Sequence, residues 1–88
     1  MAQREEKIQD LYQVILHLET AEDCQALFED LCTNKEIEKM AERLYAARLL
    51  LQGMTYQQVI AETDISSATL SRVSRCVQYG NGYRKLKL

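Results

Sequence analysis

Apolar residues in the N-terminal half recur with the period of an α-helix, and they are most densely placed near the N-terminus. At about 100° per residue, the apolar side chains between residues 8 and 18 cover an arc of roughly 200°, twice the stripe of a helix that packs on one side. A chain of 88 residues has little interior in which such a helix could be surrounded. The pattern therefore predicts a first helix that packs against a second copy of the chain. These apolar residues are Ile8, Leu11, Tyr12, Val14, Ile15, Leu16 and Leu18.

Two further helices are predicted before Gly53. Thr20 and Thr33 are each followed three residues later by an acidic residue, a spacing typical of a capped helix start. The predicted helices run over about 21–32 and 34–52, and Gly53 is a natural stop for the second of them. The side chains expected to point inward are Leu27, Phe28 and Leu31 in one helix and Ile37, Met40, Ala41, Leu44 and Leu51 in the other.

The stretch from Thr55 to Val73 predicts two short helices joined by a tight turn. Thr55 can cap the first helix, and Gln58 completes a capping box. Ile65 would fill the corner, while Leu70 and Val73 share the buried face of the second helix. This leaves small residues at the N-terminal end of its outer face and arginines further along, a pattern that suits a major groove. The outward residues are Ser67, Ala68, Ser71, Arg72 and Arg75.

DNA binding by this helix-turn-helix is therefore the first hypothesis. The alternative is that the corner belongs to a plain helical bundle, in which small residues only allow close packing. A protein-interaction module that uses the corner or the acidic N-terminal half is the corresponding alternative function.

Composition indicates an all-α protein, and the predicted helix starts and stops give five or six short helices. The sequence has no proline and three glycines, and 47% of its residues are hydrophobic. We expect one helical domain over residues 1–79, with dimerisation helices in 1–52 and the helix-turn-helix in 54–79. Residues 80–88 would form a short basic C-terminal tail.

Several classes of function are disfavoured. No apolar run is long enough for a transmembrane helix, and the N-terminus lacks the apolar core of a signal peptide. Cys24, Cys32 and Cys76 lack metal-site or redox spacing, so we expect reduced thiols in a cytoplasmic protein. His17 has no catalytic partner that the sequence can identify. We therefore expect no enzyme, no metal site, no cofactor and no membrane partner.

Charge is distributed unevenly along the chain. Residues 1–52 carry six Lys/Arg and eleven Asp/Glu, a net charge of −5, whereas residues 53–88 carry five and two, a net charge of +3. The basic half is the half that contains the helix-turn-helix. Because local potential attracts a phosphate backbone, double-stranded DNA remains the expected partner despite the total of −2.

Several blocks of sequence carry a family resemblance. The segments 31–44, 49–55 and 67–72, together with Ala68-Thr-Leu-Ser-Arg-Val and Tyr79-Gly-Asn, resemble the Trp repressor superfamily, and most closely its YerC/YecD branch. The resemblance covers roughly residues 10–82. It implies an all-α, intertwined homodimer in which each subunit offers one recognition helix to half of a palindromic operator. Such half-sites lie about one helical turn (~34 Å) apart.

The expected DNA-binding residues lie on the two helices of the corner. Ser67, Ala68 and Ser71 would read bases, next to the helix N-terminus at Ser66 and Thr69. The arginines would hold phosphates or a guanine edge, and a glutamine of the preceding helix would reach the backbone. The complete predicted set is Gln57, Ser66, Ser67, Ala68, Thr69, Ser71, Arg72 and Arg75. The expected activity is that of a transcriptional repressor.

The resemblance also implies a candidate effector pocket. Thr33, Arg43 and Arg72 fall on positions that hold tryptophan in tryptophan-binding members. However, Val73 replaces a glycine of that site, and Cys76 replaces a serine that binds the amino group. A valine would occupy the space of the ring, and a thiol is a poor partner for an ammonium group. A different small effector, or none, is therefore favoured over tryptophan.

Overall fold

Six helices and their connecting loops account for residues 3–86, the part of the chain that this computed structural model describes. No strand occurs in that range, so the predicted all-α class is confirmed. The helices are α1 (Arg4–Leu16), α2 (Ala21–Leu31), α3 (Asn34–Leu51), α4 (Tyr56–Glu62), α5 (Ser67–Tyr79) and α6 (Gly82–Lys85). None of the helices in this range is long and apolar enough to cross a membrane.

Local capping explains where several helices begin and end. Thr20 Oγ1 accepts a hydrogen bond from the Asp23 backbone N–H at 3.0 Å and begins α2. Thr55 and Gln58 form the predicted capping box of α4, with bonds of 3.2 and 2.8 Å. After α3, Gly53 has a φ of +99°, a left-handed conformation that favours glycine. The predicted stop at this residue is confirmed.

The chain divides into two compact units, one that runs up to Asn34 and one that begins at Lys35. The first unit contains α1 and α2, and neither helix has a buried residue. Leu16, the last residue of α1, remains 74% exposed, and Leu18 lies beyond the helix end. The wide apolar face predicted for the first helix is therefore largely uncovered in the single chain.

The second unit contains the hydrophobic core. The sequence predicts burial at Ile65, Leu70 and Val73, and all three are buried, as is Val59 of α4. They pack with three residues of α3, namely Ala46, Ala47 and Leu49. The core thus joins α3 to the corner formed by α4 and α5.

The buried face of α3 is not the face that the apolar pattern predicts. Met40, Leu44 and Leu51 were expected to point inward, but they are 41%, 39% and 36% exposed, and Ala41 is exposed as well. Ile37 is half-buried. Met40, Leu44 and Leu51 share one helical stripe because they are separated by four and seven residues. The residues of α3 that are buried in the core are instead Ala46, Ala47 and Leu49.

The residues after Gly80 form α6 within the segment predicted as a tail. The Arg84 Nη1 donates a hydrogen bond to the Gln78 carbonyl oxygen at 3.0 Å, which ties α6 to the C-terminal end of α5. Tyr83 is half-buried against the core. This part of the tail is therefore an ordered helix that packs on the second unit.

Candidate nucleic-acid interface

The turn between α4 and α5 is stabilised by hydrogen bonds of the Thr63 side chain and by the buried side chain of Ile65. Thr63 Oγ1 donates to the Val59 carbonyl oxygen at 2.8 Å and accepts from the Ile65 backbone N–H at 3.5 Å. The Ile65 side chain is buried in the core beneath the turn. These contacts fix the angle at which α5 leaves α4, and they hold the outer face of α5 in one orientation.

The structure brings most of the predicted DNA-binding residues together on α5. Leu70 and Val73 anchor its inner face. The residues on the other side are exposed, and Ala68, Ser71, Arg72 and Arg75 follow the three- and four-residue spacing of one helical face. Gln57 is exposed on α4. Only Thr69 of the predicted set is half-buried; the remaining members, Ser66 and Ser67, are exposed at the start of the helix.

The N-terminal end of α5 is capped by Ser66. Its Oγ accepts from the Thr69 backbone N–H at 3.2 Å and donates to Thr69 Oγ1 at 2.9 Å. Both hydroxyls are therefore occupied with each other, although Thr69 keeps its own proton as a donor. Helix N-termini carry free N–H groups and a partial positive charge that attract phosphate. The Ser66 hydroxyl is thus engaged within the helix cap.

Tyr56 connects the two helices of the corner through its hydroxyl, a contact that the sequence did not indicate. It is the first residue of α4, and its hydroxyl donates to the Ser67 carbonyl oxygen of α5 at 2.9 Å. The same hydroxyl lies 3.2 Å from Ser71 Oγ. These bonds connect residues 11 and 15 positions apart, so no helical spacing in the sequence could have revealed them.

The corner itself carries two basic and two acidic residues and is neutral, and α6 adds two further basic residues. Between residues 53 and 86 the chain carries four basic residues and two acidic ones, a net charge of +2. Arg72 and Arg75 are the basic residues on α5, and both are exposed. The acidic residues, Glu62 and Asp64, lie at the end of α4 and in the turn. The outer face of α5 is therefore its basic side.

The three candidate effector residues do not line one common cleft among the residues that the structure describes. Arg43 of α3 lines a polar cleft of about 160 Å³, but Arg72 does not line it and Thr33 belongs to the other compact unit. The remaining lining residues of this cleft are Lys39, Glu42, Asp64, Ile65, Ser66 and Thr69. Val73, which the resemblance places at a glycine position of the tryptophan site, is only 2% exposed, so its side chain is packed in the core.

Cys76 lies three residues after Val73 on α5. It is half-buried and lines an apolar cleft with Leu44 of α3 and Tyr83 of α6. Within residues 3–86, no group of three or more His, Cys, Asp or Glu side chains is placed to hold a metal ion.

Comparison with known proteins identifies related sequences and structures. The family model described as "Trp repressor protein" matches residues 6–88. Uncharacterized protein YerC of Bacillus subtilis (strain 168) is 44% identical over 85 residues, which span 97% of this chain and 82% of that protein.

Two solved structures share the fold at high similarity. One is a Staphylococcus aureus protein provisionally assigned as a Trp repressor, with a TM-score of 0.84, 38% identity, and coverage of 97% of this chain and 91% of that one. The other is a TrpR-like protein from Eubacterium eligens ATCC 27750, with a TM-score of 0.84 and 37% identity. The matched region spans 91% of this chain and 84% of the Eubacterium eligens chain.

Proposed function

The chain belongs to the Trp repressor family, and we propose that it is a homodimeric transcriptional regulator, a repressor that binds a palindromic operator. Membership confirms the family resemblance, the all-α Trp repressor-like fold and the non-enzymatic class. DNA binding, dimerisation and the residue roles below are the proposal. Such a regulator would act on DNA in the cytoplasm.

One observation supports the proposal most directly: the outer face of α5 is exposed, with small side chains at its N-terminal end and arginines further along. Its inner face is fixed to the core through Leu70 and Val73, so the helix is presented as a rigid element. A B-DNA major groove is about 12 Å wide and admits one such helix. Small side chains at the leading end allow the backbone to approach base edges closely.

The roles of individual residues follow from their positions. Ser67, Ala68 and Ser71 would face the bases, because they lie in the first turns of the exposed face. Arg72 and Arg75 would contact phosphates or a guanine edge, and Gln57 would contact the backbone from α4.

A dimer is required for useful affinity. Two arginines on α5 give a single chain few phosphate contacts, and each neutralised phosphate adds a counterion-release contribution to binding. Apolar residues that are uncovered in the single chain supply a surface for the second copy. These include Leu11, Tyr12, Val14 and Leu16 of α1 and Met40, Leu44 and Leu51 of α3.

Selection from a random duplex library tests the proposal. Purified protein at near-physiological salt should enrich a two-fold symmetric site with half-site centres about 34 Å apart. Ser71→Ala should relax preference at one position of each half-site. Arg75→Gln should weaken binding to all sequences alike and reduce the slope of log K against log[salt] by about one. Failure to enrich any site, together with salt-independent binding, would contradict the proposal.

The same selection with and without tryptophan tests the effector. We propose that tryptophan is not the corepressor, because the buried Val73 side chain stands where the ring would need space. The enriched site and its affinity should then be unchanged by tryptophan. Enrichment only in its presence would mean that the pocket opens despite Val73.

A protein-interaction module is the second candidate. The acidic N-terminal half and its exposed apolar residues favour this function, since both could bind another protein. Salt dependence separates the two candidates: DNA binding should weaken steeply as salt rises, whereas an apolar protein interface should not.

A further inference from the structure

The Tyr56 hydroxyl lies at the junction of α4 and α5, between two polar atoms of the recognition helix. It is 2.9 Å from the Ser67 carbonyl oxygen and 3.2 Å from Ser71 Oγ. The tyrosine ring packs against the hydrophobic core, so the position of the hydroxyl is set by the fold. Ser71 itself is exposed on the outer face of α5.

A count of protons fixes the direction of both hydrogen bonds. A phenolic hydroxyl has one proton, and a carbonyl oxygen can only accept. The Tyr56 proton therefore goes to the Ser67 carbonyl oxygen. The bond between the two hydroxyls must then be made with the Ser71 proton, which Ser71 donates to the tyrosine oxygen. Ser71 Oγ is left with lone pairs and no proton for an external partner.

We propose that Tyr56 determines base specificity by holding Ser71 Oγ as a hydrogen-bond acceptor toward DNA. In the major groove, adenine N6 and cytosine N4 present amino donors, whereas guanine O6 and thymine O4 present acceptors. Ser71 would therefore favour adenine or cytosine at the base that it contacts. A serine whose proton is free would accept either kind of base edge, because its hydroxyl can rotate.

The inference rests on the proposed DNA-binding function, and it assigns Tyr56 a positioning role rather than a contact with DNA. A purely structural tyrosine would hold α5 in place and affect all sequences equally. A specificity-determining tyrosine changes the preference at one base pair.

Tyr56→Phe tests the proposal because it removes the hydroxyl and keeps the ring that packs on the core. Library selection would be run on wild type, Tyr56→Phe, Ser71→Ala and the double variant. Ser71→Ala identifies the base pair that Ser71 reads. Tyr79→Phe is the matched control, since Tyr79 lies on the same recognition helix but is highly exposed at its far end. Melting curves followed by circular dichroism establish that each variant is folded.

The expected result is a wild-type preference of roughly five- to tenfold for one base pair at that position, a size typical of one lost base contact. A similar loss of affinity should follow when a base analogue removes the adenine N6 or cytosine N4 amino group of that pair. Tyr56→Phe should reduce this preference to below about twofold at the same base pair while the rest of the site is still selected. Tyr79→Phe should leave the preference intact. The double variant should match Ser71→Ala, because the tyrosine acts through the serine.

Other results would overturn the proposal. Unchanged wild-type affinity after removal of that amino group would mean that Ser71 donates to the base pair instead of accepting. An unchanged preference in Tyr56→Phe, or an equal loss of affinity for all sequences, would reduce the tyrosine to a structural contact, while the DNA-binding function would stand. If wild type selects no sequence at all, the proposed function fails and this inference fails with it.

Discussion

Replacing Gly80 by alanine tests how α5 ends and how α6 is attached to it. A Cβ atom at residue 80 would lie 2.5 Å from the Cys76 carbonyl oxygen and 3.2 Å from both the carbonyl carbon and the Cα of Cys76. All three atoms belong to the helix backbone, so none can move aside as a flexible side chain would. The Gly80 backbone N–H also donates to this carbonyl at 2.8 Å.

The loss of stability in Gly80→Ala follows from the backbone movement that the added Cβ requires. Ordinary van der Waals contact begins at 3.4 Å, so the chain must shift away from Cys76 and weaken the bond that closes the helix. Loss of one hydrogen bond costs about 0.5–1.5 kcal/mol, and forcing a group into a packed site costs about 1–3 kcal/mol. We therefore expect Gly80→Ala to lower the free energy of unfolding by about 2–4 kcal/mol.

Urea unfolding followed by circular dichroism measures this change, with all samples at one protein concentration because association contributes to stability. Gly82→Ala is the matched control. A Cβ at residue 82 meets nothing within 4 Å, and the residue begins α6, so alanine should leave stability unchanged or raise it by up to about 1 kcal/mol. A loss below about 0.5 kcal/mol for Gly80→Ala, or an equal loss in the control, would refute the steric argument.

Three further variants test the core, the stop of α3 and the proposed dimer. Leu70→Ala removes a fully buried side chain and should cost about 2–5 kcal/mol in the same urea assay; a near-neutral result would mean that the site collapses around the gap. Gly53→Ala should lower the free energy of unfolding by about 1–2 kcal/mol, because alanine is strained at a φ of +99°, and by no more, because no neighbouring atom clashes with the added Cβ. An unchanged urea midpoint would show that the turn adopts another conformation. Leu44→Glu places a charge on the half-exposed stripe of α3 and should shift sedimentation equilibrium toward monomer at equal helix content; an unchanged mass would exclude this stripe from a dimer interface.

Features governed by short-range rules could be predicted from the sequence. The caps at Thr20 and Thr55 and the stop at Gly53 depend on a side chain and a backbone group a few residues apart, and all three are present. The burial of Ile65 and Leu70 follows from the periodicity of two adjacent helices. The exposed face of α5, which carries the candidate site, was predictable for the same reason.

Features that depend on how helices meet could not be predicted in this way. The bond from Tyr56 to Ser67 joins two helices across a turn, and its formation depends on the angle of that turn. Likewise, the Gly-Asn-Gly segment after α5 suggests a free tail, but α6 begins at its second glycine, and Arg84 and Tyr83 attach this helix to the second unit. Neither contact has a fixed spacing that marks it in the sequence.

The orientation of α3 shows why large apolar residues can mislead in a small subunit. Hydrophobic patterning assigns the core to the largest side chains, yet this helix turns Ala46 and Ala47 toward the corner and leaves Leu44 half-exposed. Leu49 is the only leucine of α3 that is buried beside them. The larger stripe is then free to complete a second interface. In the proposed dimer, one helix would thus carry the recognition corner on one face and the partner on the other, so α3 would set the distance between the two recognition helices. Substitutions on either face of α3 should therefore change the preferred half-site spacing without any change in the residues that read DNA.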